Sequence, residues 1–449
     1  MQLSGGKYFF RRFTKFWFAT LAILWAAAAG AQTVTLSQAA DLMSTNEVQY
    51  QILDLEAEVA AEVTRQALGQ RLPRVSLSVS YIQTQQEIIN QDNTAFVDGT
   101  SEYPTTNIRL SATQPLYDPV RFRALPLARA EEELVRIQAE EARTELAALM
   151  VAAYLNVARA QLQIDQARAV LRARTQFERD IGLMVSAGTA DADRQLRAQG
   201  DTFAARANVS DAELDLAEAL FDLQRFTGPI DGVQYRSGVG VANINQFLQT
   251  FSADRLDQLN SAIQVARAQL AVAESRLIRV RGSFQPTANL TLELENEQTD
   301  GSLFGGGSEV QSAEVGIELN WSIYEGGVRR SQVREAERRV EIANLRVQQT
   351  QDMAQRRYEA LVGALRSSLS VVNANAQDRR VAVERVNVAQ QNLDAGRGNV
   401  EPLLEAQLRR DTLGLQAQSV RLRAVGFQAQ LYALFGALDL DTLSADFAT

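Results

Sequence analysis

The chain has 449 residues, enough for two or three ordinary domains. It contains no cysteine and no histidine, which excludes disulfides, thiolate or imidazole metal sites, and nucleophilic catalysis by Cys or Ser–His. The net charge is −9, and Lys7, Arg11, Arg12 and Lys15 leave −13 for the rest, so this acidic chain without a basic face is a poor partner for nucleic acid.

The N-terminus carries a basic segment, an apolar run over Phe16–Ala29 and the small-residue site Ala29-Gly30-Ala31. This pattern predicts a secretory signal peptide at 1–31. The apolar run falls short of the roughly 20 residues a membrane-spanning helix needs. No cysteine follows the cleavage site to carry a lipid. Residues 36–71 are expected to form one helix, capped by Ser37 and stopped by Pro73. Val75–Tyr81 alternates apolar and polar residues, which is the strand period. Residues 84–105 are polar, contain Gly99 and Pro104, and are expected to be a loop; Asn107–Thr113 then alternates again. A long helix is predicted over 121–186, with Pro126 in its first turns and Gly188 as a left-handed C-terminal cap. A further helix should run from 191 to 226. Residues 229–253 show no helical period and are expected to be a linker. Within it Gly238-Val239-Gly240 lacks the third glycine and the preceding strand of a nucleotide loop.

The order then recurs. A helix is expected over 254–281, strands over 288–295 and 314–321 around the Gly301–Gly307 loop, a long helix over 328–394 and a last helix over 399–435. Gln114-Pro115-Leu116-Tyr117-Asp118-Pro119 is echoed by Asn320-Trp321-Ser322-Ile323-Tyr324-Glu325-Gly326-Gly327, and Tyr117 and Tyr324 lie 207 residues apart. Gly188 and Gly396 are 208 apart, as are Gly228 and Gly436. The chain is therefore a duplicated half-molecule, with repeats at 32–228 and 254–437, a segment at 229–253 between them and a tail at 438–449.

Val340, Val347, Ala354 and Leu361 form one seven-residue seam, and Leu408, Leu415 and Leu422 another. Sustained heptads predict coiled-coil packing. The four strands, of about ten residues each, have the length of tilted membrane strands. One face carries Val75, Leu77, Val79, Ile108, Leu110, Leu290, Leu292, Val315, Ile317, Leu319 and Trp321. The other carries Ser76, Ser78, Arg109, Ser111, Thr291, Glu293, Glu295, Glu314, Glu318 and Asn320. Four strands cannot close on themselves, and a membrane requires closure, so several chains would have to share one barrel.

The duplicated helix–strand–strand–helix unit, the exits Leu116-Tyr117-Asp118-Pro119 and Ile323-Tyr324-Glu325-Gly326-Gly327, and the Ala-Gly turns followed by Arg197-Ala198-Gln199 and Glu405-Ala406-Gln407 resemble the TolC family of outer-membrane channel factors. The resemblance covers the whole mature chain. It implies a mostly α fold with a membrane β-barrel: a homotrimeric twelve-stranded barrel, four strands per chain, continued by a long α-helical coiled-coil barrel. It further implies a Gram-negative outer membrane location, a periplasmic adaptor and an inner-membrane transporter as partners, and efflux or type I protein secretion as the activity. No cofactor, metal or enzymatic role is implied. The strand–helix junctions would be Tyr117, Pro119, Tyr324, Gly326 and Gly327, and the adaptor-docking turns Gly188, Gly396 and Arg397. The chain departs from the family at Asn46-Glu47 and Asn260-Ser261, where members often have Asn-Pro. It departs again at Leu393 and Gly398, where some members place a tunnel latch.

Two readings compete for the acids beside the turns. Glu401 and Glu405 are four apart and share a helix face. The resemblance places Glu405 at a lumen-facing acid position, so three copies would ring a pore. Acids in a first helical turn also complement the helix dipole, which is the preferred account of Asp191 and Asp193. A coiled-coil periplasmic tether without a pore is the alternative to the channel; it has no use for a duplicated sheet with a lipid-ready face.

Overall fold

The computed structural model describes residues 33–87, 100–235, 248–301, 306–397 and 400–438. The signal-peptide segment, the Gly238–Gly240 loop, Gly398 and the tail beyond 438 lie outside the described residues. In chain order the elements are β1 (Thr33–Val34), α1 (Leu36–Asn46), α2 (Val48–Gly69), β2 (Arg74–Glu87), β3 (Thr100–Tyr117), a helical turn (Pro119–Phe122), α3 (Ala124–Ser186), α4 (Ala192–Thr227), β4 (Gly232–Val233), a short helix (Leu256–Leu259), α5 (Ser261–Arg281), β5 (Thr287–Thr299), β6 (Ser308–Asn320), α6 (Val328–Asp394) and α7 (Val400–Leu434). The long helices α3 and α6 have 63 and 67 residues, close to the expected bounds.

Two expected helices are broken. The run predicted over 36–71 divides at Glu47, whose backbone is extended (φ −77°, ψ 105°). The hydroxyls of Ser44 and Thr45 both donate to the Asp41 carbonyl, and Asn46 Nδ2 donates across to the Thr227 carbonyl. Such short polar side chains compete with the helical ladder for backbone groups. The cap is Thr35 rather than Ser37: Thr35 and Gln38 form a reciprocal capping box. The second break falls at Asn260, which is buried and whose Oδ1 accepts from the Ile263 amide at 2.9 Å to start α5. The expected helix at 254–281 therefore begins as separate short turns.

The chain divides into two compact units, one of residues 51–141 and 257–354, the other of residues 1–50, 142–256 and 355–449. The first unit holds an antiparallel sheet of order β2-β3-β5-β6. Its strands have 14, 18, 13 and 13 residues, longer than the ten expected. The difference comes from polar ends assigned to a loop: Gln83 pairs with Pro104, and the ladder runs on to Glu87 opposite Thr100. Cross-strand pairing, rather than apolar alternation, carries these residues into the sheet.

The register fixes the two faces. Val75, Ala112, Leu292 and Val315 form one transverse row, and Leu77, Leu110, Leu294 and Ala313 the next. Ser76, Ser111, Glu293 and Glu314 form a row on the opposite face, followed by Ser78, Arg109, Glu295 and Ser312. The apolar face is open, with Leu77 66% and Val315 74% exposed. The outer edges of β2 and β6 have no strand partner among the described residues.

The other unit contains the main core, formed by Leu36, Ala39 and Met43 of α1, Met150, Tyr154 and Val157 of α3, Leu223 and Phe226 of α4, and Leu422 and Val425 of α7. Here β1 pairs in parallel with β4, so residues 229–235 are not wholly a linker. Tyr154 is fully buried and its hydroxyl donates to the carbonyls of Gln234 at 2.5 Å and Val34 at 3.3 Å. A second cluster joins Leu361 and Leu365 of α6 to Ala424 and Leu431 of α7, with Phe251 edge-on to Tyr432. Along α6, Ala336, Ala343, Ala354 and Leu361 are buried and Val340 and Val347 half-buried, the seven-residue stripe of the predicted seam.

Candidate functional site

Two constellations collect the predicted residues. The first, in the sheet-bearing unit, is where strands become helices. Asp118 accepts from the Arg121 amide at 2.9 Å, with Pro119 at the first helical position, where a missing N–H costs nothing. Tyr117 donates its hydroxyl to Gln285 Oε1 at 2.8 Å. In the second exit Gly326 and Gly327 both have positive φ (61° and 87°), a turn that side chains resist. Glu325 there receives Arg329 at 2.5 Å, and Arg329 also donates to the Ser322 carbonyl. Both exits thus follow one plan: the acid after the tyrosine holds an arginine in the first helical turn. Tyr324 is 86% exposed. Trp321 donates its indole N–H to the Phe284 carbonyl at 3.2 Å.

The second constellation, in the other unit, is the pair of turns after α3 and α6. Gly188 (φ 72°) and Gly396 (φ 66°) sit in equivalent hydrogen-bonded caps. Gly188 N–H donates to Val185 and Thr189 N–H to the Met184 carbonyl; Gly396 N–H donates to Leu393 and Arg397 N–H to Asn392. This is the left-handed cap that closes a helix by reaching back five residues.

The acids beside these turns separate into different roles. Asp191 is the N-cap of α4, accepting from the Arg194 amide at 2.8 Å, and Asp193 pairs with Arg197 one turn on. Both therefore satisfy the helix start, as expected. Glu401 lies in the first turn of α7 and accepts from the Arg194 guanidinium at 2.5 Å, joining the start of α4 to the start of α7. Glu405 is exposed and has no ion-pair partner among the described residues. It lines a groove with Arg385, Asn392, Pro402 and Arg409.

Sequence reasoning missed Arg194, although the duplication held the clue. At the repeat offset of 208, Asp193 corresponds to Glu401 and Arg197 to Glu405. The second half has lost the i,i+4 arginine, so Glu401 draws its cation from the first half. Arg109 was placed on the polar sheet face without partners; it bridges Glu293 and Glu295, both at 2.8 Å. Farther from the turns, burial raises the Tyr154 phenol pKa, and burial together with Asp165 pushes Tyr235 up to about 12. Both phenols stay protonated, and that of Tyr154 is a donor. No cluster of three metal-ligating side chains occurs among the described residues.

Comparison with known proteins converges on one architecture. Residues 253–437 match the outer membrane efflux protein family. The outer membrane protein TolC of Escherichia coli K12 is 26% identical over 314 residues, covering 65% of this chain and 59% of that protein. The chain thus spans less than two thirds of that relative's length. Solved structures share the fold over nearly all of the chain. A membrane protein from Pseudomonas aeruginosa superposes with a TM-score of 0.75 at 18% identity, covering 90% of this chain and 91% of the other. The Campylobacter jejuni CmeC outer membrane channel does so with a TM-score of 0.73 at 14% identity, covering 92% and 89%. Vibrio cholerae VceC gives 0.71 at 16% identity, covering 90% and 97%.

The chain is similar to TolC-like outer membrane factors, in sequence over its second half and in fold over nearly its whole length. Its fold is the one expected of a single chain: mostly helical, with one four-stranded sheet, and shared with outer membrane channel structures. TolC and VceC are outer membrane proteins, and CmeC is an outer membrane channel. No described helix is long and apolar enough to cross a membrane.

Proposed function

We propose that this protein is the outer membrane exit duct of an export system. It takes cargo from an inner-membrane transporter through a periplasmic adaptor, in efflux of small molecules or in type I protein secretion. The observation that carries the reading is the sheet register. One face is a continuous open apolar surface, the other is lined by Ser76, Ser111, Glu293, Glu295 and Glu314, and both edges lack strand partners among the described residues. Three such sheets joined edge to edge give a barrel with lipid outside and water inside, wide enough for a channel.

In this reading the turns at Gly188 and Gly396–Arg397 form the periplasmic tip and meet the adaptor. The acids beside them form the gate. Glu405 supplies the open carboxylate of each copy, and Glu401 is held by Arg194. Three copies would place repeated negative charge in a narrow aqueous passage, where fields are focused. The test is single-channel recording of purified protein in a planar bilayer. Wild type should conduct, prefer cations and be blocked by divalent cations from the periplasmic side. Glu401→Ala with Glu405→Ala should weaken both the block and the preference. A protein that never conducts rejects the duct; conductance with unchanged block and selectivity rejects the gate alone.

A further inference from the structure

In the sheet-bearing unit a pocket of 380 Å³ lies between α5 and α6, lined by Val120, Arg276, Arg279, Ser283, Gln332 and Arg339 among others. It leads into a groove of 370 Å³ that shares Arg276 and Arg339 and includes Arg346. These are cavities of ligand size. Four arginines face them, and Glu335 is the one carboxylate in either lining. Arg339 pairs with Glu335 at 2.6 Å and Arg276 with Glu131 at 3.0 Å. Arg279 and Arg346 have no ion pair among the described residues, and Arg279 Nε is buried without an acceptor. A buried guanidinium N–H left without a partner is costly, and an anion would supply the acceptor. The planar guanidinium fork matches the oxygens of a phosphate.

Position selects the source of that phosphate. Val120 follows the end of β3 by three residues, and Ser283 precedes β5 by four. The pocket therefore sits where the sheet leaves the hydrocarbon. Phe284 and Ile278 are exposed beside it in sequence, and Leu319, opposite Ala288 at the sheet base, is 67% exposed. Basic pockets at headgroup level next to apolar surface are suited to anionic lipids.

We propose that this pocket binds the phosphate headgroup of an anionic phospholipid in the periplasmic leaflet of the outer membrane, with the acyl chains on the apolar flank of the sheet. The proposal rests on the sheet spanning that membrane. The test uses the full chain in nanodiscs of mixed phosphatidylglycerol and phosphatidylethanolamine, with insertion checked first by co-elution of protein and lipid. Lipid retained on the protein after transfer to detergent is then quantified. Wild type should be enriched in phosphatidylglycerol. Arg279→Ala should lower the enrichment roughly fivefold, as for loss of one arginine near an anionic headgroup. Gln332→Glu, at an exposed position that puts no fold contact at risk, should also lower it. Arg338→Ala, paired with Glu341 outside the pocket, should leave it unchanged. Inserted wild type without enrichment, or with enrichment indifferent to both pocket variants, overturns the proposal. So does displacement of the lipid by inorganic phosphate alone, which would make this a free-anion site. Failure to insert at all counts instead against the membrane-spanning sheet.

Discussion

At the scale of single residues, the paired turns respond to backbone chemistry more than to contacts. A Cβ added at Gly188 or Gly396 would meet no atom within 4 Å, yet both hold positive φ. The obstacle to a side chain is therefore the left-handed conformation itself, about 1–2 kcal/mol at each site and more for a β-branched residue. Gly188→Val with Gly396→Val should deform both tips while leaving the distant helical cores intact. Export measured in cells should be lost, with normal amounts of trimer still extracted from the outer membrane. Unchanged export would show that the tip geometry is dispensable. These glycines were legible because a glycine after a long periodic run is a strong stop signal. Arg194 was not, because its acceptor lies 207 residues away and no local pattern joins them. The same holds for Arg109, whose role appears only once β3 is aligned with β5.

At the scale of elements, the long helices were read to within a few residues because their period runs without interruption and glycines mark their ends. The errors fell where local chemistry outweighs period. Ser44, Thr45 and Asn46 divert backbone groups and split α1 from α2, and an apolar-periodicity reading passes over them. The polar ends of β2 and β3 were missed for the converse reason, since their pairing is set by the register of the neighbouring strand. The β1–β4 pair was invisible, being two residues on each side. It is held by the buried Tyr154 hydroxyl, which serves the carbonyls of both Val34 and Gln234. Tyr154→Phe leaves the ring in place and removes only those bonds. The expected loss is about 1–1.5 kcal/mol, for the Gln234 carbonyl that loses its donor while Val34 keeps the Gln234 N–H. Hydrogen exchange read at the Gln234 amide, which donates to Val34 at 2.8 Å, should accelerate by about an order of magnitude or more, while the amides of mid-α3 stay protected. Equal exchange at Gln234 in both proteins would mean that the tyrosine does not hold the pair.

At the scale of the whole molecule, the duplication organises everything that follows. Offsets of 207 to 208 residues recur at the strand exits, the turn glycines and the half-ending glycines, and the structure gives equivalent caps at both turns. What one chain lacks is closure: among the described residues its sheet has two edges without a strand partner, and its apolar face is exposed. A membrane barrel shared between chains satisfies both needs, and the periplasmic tether without a pore satisfies neither. The most direct test uses the absence of cysteine from the chain. Single cysteines are introduced along β6 at Glu314, Val315, Ile317 and Glu318, and along β2 at Ser76 and Leu77. Intact outer membranes are then treated with a water-soluble, membrane-impermeant maleimide small enough to enter the channel. The account predicts strict alternation: cysteines replacing Glu314, Glu318 and Ser76 react, and those replacing Val315, Ile317 and Leu77 react only with a lipid-soluble reagent. Equal labelling of both faces by the water-soluble reagent would contradict a membrane-spanning barrel.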